Sequence, residues 1–290
     1  MTLRVLKIFI AVAEEQNMHR AAERLYISQP AISQAISDLE KEYHVKLFER
    51  ISQRLYLTDI AKELLSYAYR VVRAYEEMEN MLLTKGQCKQ IKIGTSVSVG
   101  TCLLYELLDQ MKQQHPEVEV SVVVNNTDYI EQLLLESQID VGIVEGKIVA
   151  NELRCHDVCE DELILVASPS HPFAHTVCTI QDLQGEVFIS REKGSYDRNQ
   201  FERYLQYHHF SIQKRWICSN TEAIKNAVIR DYGVAILSRM VVQTELSQGI
   251  LSEIHLQNVS IKRNIQFVYH KDKSITDEMK WFAHACGLSL

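Results

Sequence analysis

Ala21-Ala22-Glu23-Arg24-Leu25-Tyr26-Ile27-Ser28-Gln29-Pro30-Ala31-Ile32-Ser33-Gln34-Ala35-Ile36 is the stretch on which the fold turns. Its first part closes a short helix, 19–25, whose Ala21 and Ala22 carry so little side chain that another helix can cross closely at an angle. Tyr26 and Ile27 form a short turn. A further helix opens at Ser28, whose hydroxyl is suited to cap free amides, and Pro30 falls in the first turn, where a missing N–H costs nothing. The inner face of this helix is Ile32, Ile36 and Leu39, while Gln29, Ser33 and Ser37 line the other side four apart, with Gln34 beside them. Short, uncharged donors and acceptors suit a DNA major groove, where Gln pairs with adenine and Ser with several base edges. Taken alone, a polar helix face is more often simply solvated.

Working outward, residues 3–15 are apolar nearly all round (Val5, Leu6, Ile8, Phe9, Ile10, Val12, Ala13), which marks a helix at the centre of a small bundle. Lys7 interrupts this run, Glu14 and Glu15 end it, and no small-residue cleavage site follows, so it is read as core helix and not as a signal segment. Downstream, Arg50 and Arg54 flank a short hairpin ending at Leu57 and Thr58, a wing whose arginines reach phosphate or the minor groove. Residues 1–58 hold eight basic and seven acidic side chains, a charge of +1, so a single copy binds DNA weakly and paired copies are needed.

With Leu39-Glu40, Leu47-Phe48-Glu49-Arg50 and Leu57-Thr58 following in order, the run strongly resembles the LysR-type transcriptional regulators. The resemblance implies a winged helix-turn-helix, a linker helix that dimerises, and a ligand-sensing domain like the type 2 periplasmic binding proteins. The DNA-binding set read from the helix face and the hairpin is Gln29, Pro30, Ser33, Gln34 and Ser37, with Arg50 and Arg54. The chain departs from the family pattern at Ile60-Ala61, where an Ala-Gly pair is usual, and at Gln53, Ser37 and Asp38, where basic residues are common.

From Ala61 the apolar positions Ala61, Leu64, Ala68, Val71, Tyr75, Met78 and Leu82 alternate spacings of three and four, a heptad seam read here as pairing with a second chain. Packing on its own domain is the competing reading. The domain division is 1–58 winged helix-turn-helix, 59–87 linker dimerisation helix and 88–290 effector-binding domain, with one lobe at about 88–163 and 267–290 and the other at about 164–266. After Gly86, strands at 90–94, 118–124, 140–144, 163–167, 187–190, 214–218, 234–237 and 265–269 alternate with helices such as 101–114. The fold class is thus α/β overall, with an all-α amino-terminal part. The chain is expected to cross between lobes near 162–168 and to return near 265–268.

Candidate effector-binding residues gather at strand ends. Thr95, Ser96, Ser98, Gly100 and Thr101 follow the first strand, and hydroxyls with free helix amides make an anion site there. Asn125, Asn126, Thr127 and Glu145 close two further strands. The loop Arg191-Glu192-Lys193-Gly194-Ser195, similar to the family's Arg-Glu-x-Gly-Ser loop, offers Arg191, Ser195 and Arg198 to clamp a carboxylate, sulfate or phosphate. Pairing of Arg198 with Glu202, and of Arg191 near Glu192, is an equal alternative. Asn220 and Thr221 open a later helix, Asn220 either facing the cleft or only capping.

The 290 residues are 46% hydrophobic and 24% charged with a net charge of −7, which excludes a disordered chain, a fibre and a basic nucleic-acid coat. No apolar run approaches a membrane span. Seven cysteines without regular spacing read as reduced thiols in the cytoplasm, Cys88, Cys102, Cys178, Cys218 and Cys286 being packed or incidental. Cys155-His156 and Cys159 lack a second dyad, so no metal and no cofactor is expected. Catalytic signatures such as Gly-x-Ser-x-Gly, a phosphate loop or His-Glu-x-x-His are missing, and no enzymatic activity is expected.

The reading is a cytoplasmic regulator that binds double-stranded operator DNA as a homodimer or homotetramer under control of a small anionic effector, with RNA polymerase as a further partner and no membrane. A thiol-redox sensor using Cys155 and Cys159, or Cys102, is the alternative. A solute-binding or metabolic domain with an amino-terminal interaction module comes third.

Overall fold

The structure, a computed structural model, describes residues 1–51, 54–84, 89–257 and 259–290. Gln53, Cys88 and the 87/88 boundary lie outside the described residues. The chain divides into two units, Met1–Cys88 with Leu135–Gln138, and Lys89–Leu134 with Ile139–Leu290.

In the first unit, α1 (Leu3–Glu15) begins at Thr2, whose hydroxyl accepts from the Val5 amide at 3.4 Å, and every residue from Leu6 to Ala13 except Lys7 is buried. The Asn17 carboxamide caps α2 (Met18–Leu25), accepting from the His19 and Arg20 amides at 2.8 and 3.2 Å. Ala21 and Ala22 are both buried, as the close helix crossing requires. The turn at Tyr26 is left-handed (φ 54°), and α3 (Gln29–Tyr43) follows with Ile32, Ile36 and Leu39 inward. Ser28 stands at the cap position, but its hydroxyl makes no capping bond, contrary to expectation. Glu40 accepts from the Leu47 and Phe48 amides at 2.8 and 3.3 Å, which ties α3 to the hairpin of β1 (Phe48–Ile51) and β2 (Arg54–Leu57). Thr58 caps the next helix, accepting from the Ala61 amide at 3.3 Å, and α4 (Asp59–Thr84) then runs 26 residues, about 39 Å.

The second unit contains β3 (Gln90–Ser96), α5 (Val97–Cys102), α6 (Leu104–Gln114), β4 (Glu119–Asn125), α7 (Thr127–Leu135), β5 (Val141–Glu145), β6 (Leu153–Ala167) and β7 (Val177–Cys178). There follow β8 (Val187–Arg191), α8 (Tyr196–Tyr207), β9 (Gln213–Cys218), α9 (Thr221–Ile229), β10 (Ala235–Ser238), α10 (Arg239–Ser247), β11 (Ser252–Leu256), β12 (Ile261–His270) and α11 (Asp277–Ala285). The main sheet has the order β4-β3-β5-β12-β6-β11-β7, with β10 also on β6, and β8 pairs β9 in parallel apart from it. Gly94 and Gly142 face each other across β3 and β5. A Cβ at Gly94 would lie 2.3 Å from Ile139, and one at Gly142 would lie 3.0 Å from Leu134, so their bareness lets the Ile130 and Leu134 side chains press onto the sheet.

Apolar side chains gather in separate cores. Ile91, Ile93, Ile143, Phe267 and Phe282 form one. Farther along β6, Leu163 and Leu165 turn toward Phe188 and Phe201, whereas Ile164 and Val166 turn toward Ile224 and Val242, so this half of the strand is buried on both faces.

Several expected elements are corrected. The helix expected over 101–114 is two, α5 and α6, starting directly at the end of β3 and breaking at Leu103 (φ −113°), since Val97-Ser98-Val99-Gly100-Thr101 is too poor in helix formers to extend the second. The strand expected at 163–167 is a fifteen-residue β6, and that at 265–269 is a ten-residue β12 antiparallel to it. The change of core falls between Cys159 and Leu163 on β6 and between Ile261 and Ile265 on β12.

Candidate functional site

On α3, Gln29, Pro30 and Gln34 are exposed, and Ser33 and Ser37 are half-buried. Helical spacing puts Gln29, Ser33 and Ser37 on one flank and carries Gln34 round to the outer face, where its carboxamide donates to Asp38 at 2.7 Å. Arg50 and Arg54 are exposed on adjacent strands of the hairpin, one residue out of register, Arg50 facing Leu55 and Arg54 facing Ile51. Among the described residues neither has a counter-carboxylate fixed by the fold in the way that Arg24 is held by Glu14.

The seam on α4 divides in two. Ala61 and Ala68 are buried in the unit's own core, with Leu64 packed against it, because α1 crosses this part of the helix. For these three positions packing within the domain displaces the expected second chain. Val71, Tyr75, Met78 and Leu82 are exposed at 52, 38, 47 and 67% and remain available to a partner.

In the second unit, the ends of β3, β5 and β8 and the starts of α5, α7 and α8 bring buried polar groups together. Thr95, Ser96 and Ser98 are buried, and among the described residues the Ser96 hydroxyl has no hydrogen-bond partner, nor has that of Thr221. Gly100 is buried, and a Cβ there would meet Val124 at 3.0 Å, so it is a packing position. Thr101 is exposed and its hydroxyl donates to the Val97 carbonyl at 2.8 Å, within its own helix. The Thr127 hydroxyl donates to Glu145 at 3.3 Å. Asn125 accepts from the Asn126 amide, and Asn126 in turn accepts from Tyr129 and donates to Glu192 at 3.4 Å.

Ser195 is buried at the start of α8 without the expected side-chain capping bond. Arg198 pairs with Glu202 at 2.8 Å and donates to the Arg191 carbonyl, so the ion-pair alternative holds for it. Arg191, only 4% exposed, grips Glu192 with Nε and Nη2 at 2.8 and 2.9 Å. Burial opposes ionisation of Glu192, but the guanidinium outweighs it and holds the carboxyl below its usual range. Asn220 is exposed and caps α9, accepting from the Glu222 and Ala223 amides through Oδ1.

The residue at the centre of the arrangement is one that sequence reasoning missed. Arg263, with a fully buried side chain, donates twice to Asp161 at 2.9 and 2.7 Å, contacts Asp197, and lies 3.7 Å from Glu145. Ser238 donates to the same Asp161 oxygen at 2.7 Å, leaving the other carboxylate oxygen without a partner. Burial drives the Asp197 carboxyl up, against the pull of Arg263. One signal was available in the sequence: Ile261, Arg263, Ile265 and Phe267 alternate, which places the arginine on the buried face of a strand.

Cys155 and Cys159 are not placed to form a disulfide with each other. They lie four residues apart on the single strand β6, about 13 Å by strand rise, whereas a disulfide needs Cα atoms within about 7 Å. The strand thus rules out the expected Cys155–Cys159 pair. Burial pushes both thiols up, as it does Cys102, with Asp161 acting in the same sense on Cys159 and Cys102 and Glu131 on Cys155. No helix among the described residues is long and apolar enough to cross a membrane.

Residues 3–62 match the family described as bacterial regulatory helix-turn-helix protein, lysR family, and residues 84–288 match the LysR substrate binding domain. The HTH-type transcriptional regulator CysL of Bacillus subtilis (strain 168) is 34% identical over 271 residues, covering 91% of this chain and 90% of that protein. Full-length CbnR complexed with its target DNA superposes with a TM-score of 0.63 at 21% identity, covering 99% of both chains. The Synechocystis CcmR regulatory domain in complex with 2-PG gives a TM-score of 0.65 at 23% identity, over 69% of this chain and 97% of that one.

Proposed function

This chain belongs to the LysR family of bacterial transcriptional regulators, and from that premise we propose that it reads an interrupted palindromic operator through paired copies of α3 while an anionic effector held by its second unit sets the output. The observation that carries the DNA half is the exposed face of α3 beside a hairpin that presents Arg50 and Arg54. Gln29, Pro30, Ser33, Gln34 and Ser37 read base edges, and the two arginines hold phosphate. The exposed half of α4, from Val71 to Leu82, pairs two chains as a homodimer, or as part of a homotetramer, and so doubles a grip on DNA that one copy of charge +1 makes only weakly. A complex between CbnR and target DNA, and one between CcmR and 2-PG, support both halves by likeness of fold. The protein acts in the cytoplasm by binding and not by catalysis, with RNA polymerase receiving the signal.

Fluorescence anisotropy on operator fragments, recovered by genomic pull-down with purified protein, tests this. Replacing Ser33 and Gln34 by Ala should erase discrimination between operator and scrambled DNA while affinity for scrambled DNA stays. Arg50→Ala should weaken both equally and lower the salt slope by about 0.9 for each phosphate that the arginine neutralises in the wild type. Unchanged discrimination in the first variant, or an unchanged slope in the second, refutes the assignment concerned.

A further inference from the structure

Three buried cations stand in or beside the cleft, and they differ in what answers them. Arg263 is held by Asp161 on β6, Asp197 on α8 and Glu145 on β5. Lys225 on α9 is held by Glu222 of the same helix and by Glu245 on α10 at 2.6 Å. These carboxylates ride on regular elements and each of the two cations holds more than one of them, so a single incoming anion does not displace the whole set. The carboxylate that grips Arg191 is different. Glu192 is the first residue beyond β8, its side chain is 21% exposed, and its loop turns at Gly194 with φ +92°. Its two oxygens take the Nε and Nη2 edge of the guanidinium, the fork geometry that a bound carboxylate or oxoanion adopts.

We propose that Glu192 is a built-in competitor for the effector: its carboxylate fills the Arg191 fork that the effector's anionic group must take, and binding is an exchange of one anion for another. This rests on the anionic-effector reading above. Exchange has a selectivity of its own. A singly charged carboxylate replaces like with like and gains nothing at the fork, whereas a doubly charged oxoanion brings a second negative charge to the guanidinium. The structure therefore assigns the effector to the dianions. Departure of Glu192 also releases Asn126, which donates to it from the opposite side of the cleft at 3.4 Å. Effector entry and the link across the cleft are thus coupled through one side chain.

Calorimetric titration of the full chain with sulfate and, separately, acetate tests this, comparing wild type with Glu192→Gln. If the arm leaves the fork in between one molecule in ten and one in a hundred, removing its charge tightens sulfate binding by roughly 10- to 100-fold. Acetate should become detectable only in the variant, and Arg191→Gln in the variant background should abolish both. Equal sulfate affinity in wild type and Glu192→Gln overturns the competitor role while leaving an anionic effector in place. Binding that survives Arg191→Gln puts the anion elsewhere and overturns it too. Sulfate and acetate binding to neither protein removes the anionic reading and this proposal together. Glu192→Ala replaces the Gln variant should that fail to fold, with the same outcomes.

Discussion

Replacing Arg263 by Met tests the arrangement at the centre of the second unit. The guanidinium lies 2.7 Å from Asp161, in contact with Asp197, and 3.7 Å from Glu145, with its side chain fully buried. At an effective dielectric of about 20, unit charges at those two distances attract with about 6 and about 4.5 kcal/mol. Much of that is offset by the desolvation of the guanidinium itself, and breaking a buried pair leaves a net loss of about 3–5 kcal/mol. For a unit of this size the midpoint should fall by about 6–20 °C. Both tryptophans, Trp216 and Trp281, lie in the second unit, so tryptophan fluorescence follows its unfolding alone.

The loss should depend on pH, with a sign the structure fixes. Burial already raises the Asp197 carboxyl and Arg263 opposes this, so removing Arg263 lifts the folded value further above the unfolded one. Stability tied to such a group is fully present below the unfolded pKa and disappears as pH rises through the folded one. The deficit of the variant should therefore be complete near pH 7 and shrink toward about pH 4. Adding Asp161→Asn and Asp197→Asn should recover much of it at pH 7. A deficit below about 1 kcal/mol at neutral pH, or one that does not change with pH, would refute the reasoning.

Gly146 adopts φ +88°, and a Cβ there would lie 1.9 Å from the Tyr196 ring, so Gly146→Ala should cost at least about 1–2 kcal/mol in backbone strain and be read as a lower midpoint in the same fluorescence assay. Asn17→Ala removes the cap of α2 and should cost about 0.5–2 kcal/mol, seen as faster hydrogen exchange of the His19 and Arg20 amides. Val71→Asp should give monomers in sedimentation, because Val71 is 52% exposed on the unused half of the seam, and a variant that stays dimeric moves the interface elsewhere. Diamide treatment should leave no Cys155–Cys159 bridge in peptide mass spectra, since one strand holds them apart.

Where a pattern is local, the sequence was legible. Apolar helical periods, a short turn and a proline in the first turn of α3 identify α1, α2 and α3 without reference to the rest of the chain, and the hairpin after them needs only a short apolar alternation. The first part of β6 was hidden because Arg154, Asp157 and Glu160 interrupt any apolar alternation there: this stretch is held by backbone pairing with β12, more than a hundred residues away. The seam on α4 shows the complementary limit. Periodicity says which side of a helix is apolar, but the cover differs along its length: α1 lies over Ala61 and Ala68, whereas Leu82 is left exposed. Among the effector candidates, hydroxyl count alone could not separate the buried Ser96 from Thr101, which spends its hydroxyl on its own helix.

The two long strands that pass from one core to the next have a mechanical consequence. Since β6 and β12 are continuous members of the sheet, no loose loop joins the cores, and the ten residue pairs between them resist any pulling apart. A narrow antiparallel ribbon yields instead to torsion, and the irregularity between Ile265 and Gln266 concentrates its coil. Motion of one core against the other is then a rotation along the ribbon, like winding a two-ply cord. Arg263 lies on that cord at the change of core, and its ion pairs with Asp161 on β6, Asp197 on α8 and Glu145 on β5 tie the ribbon to elements on either side of it.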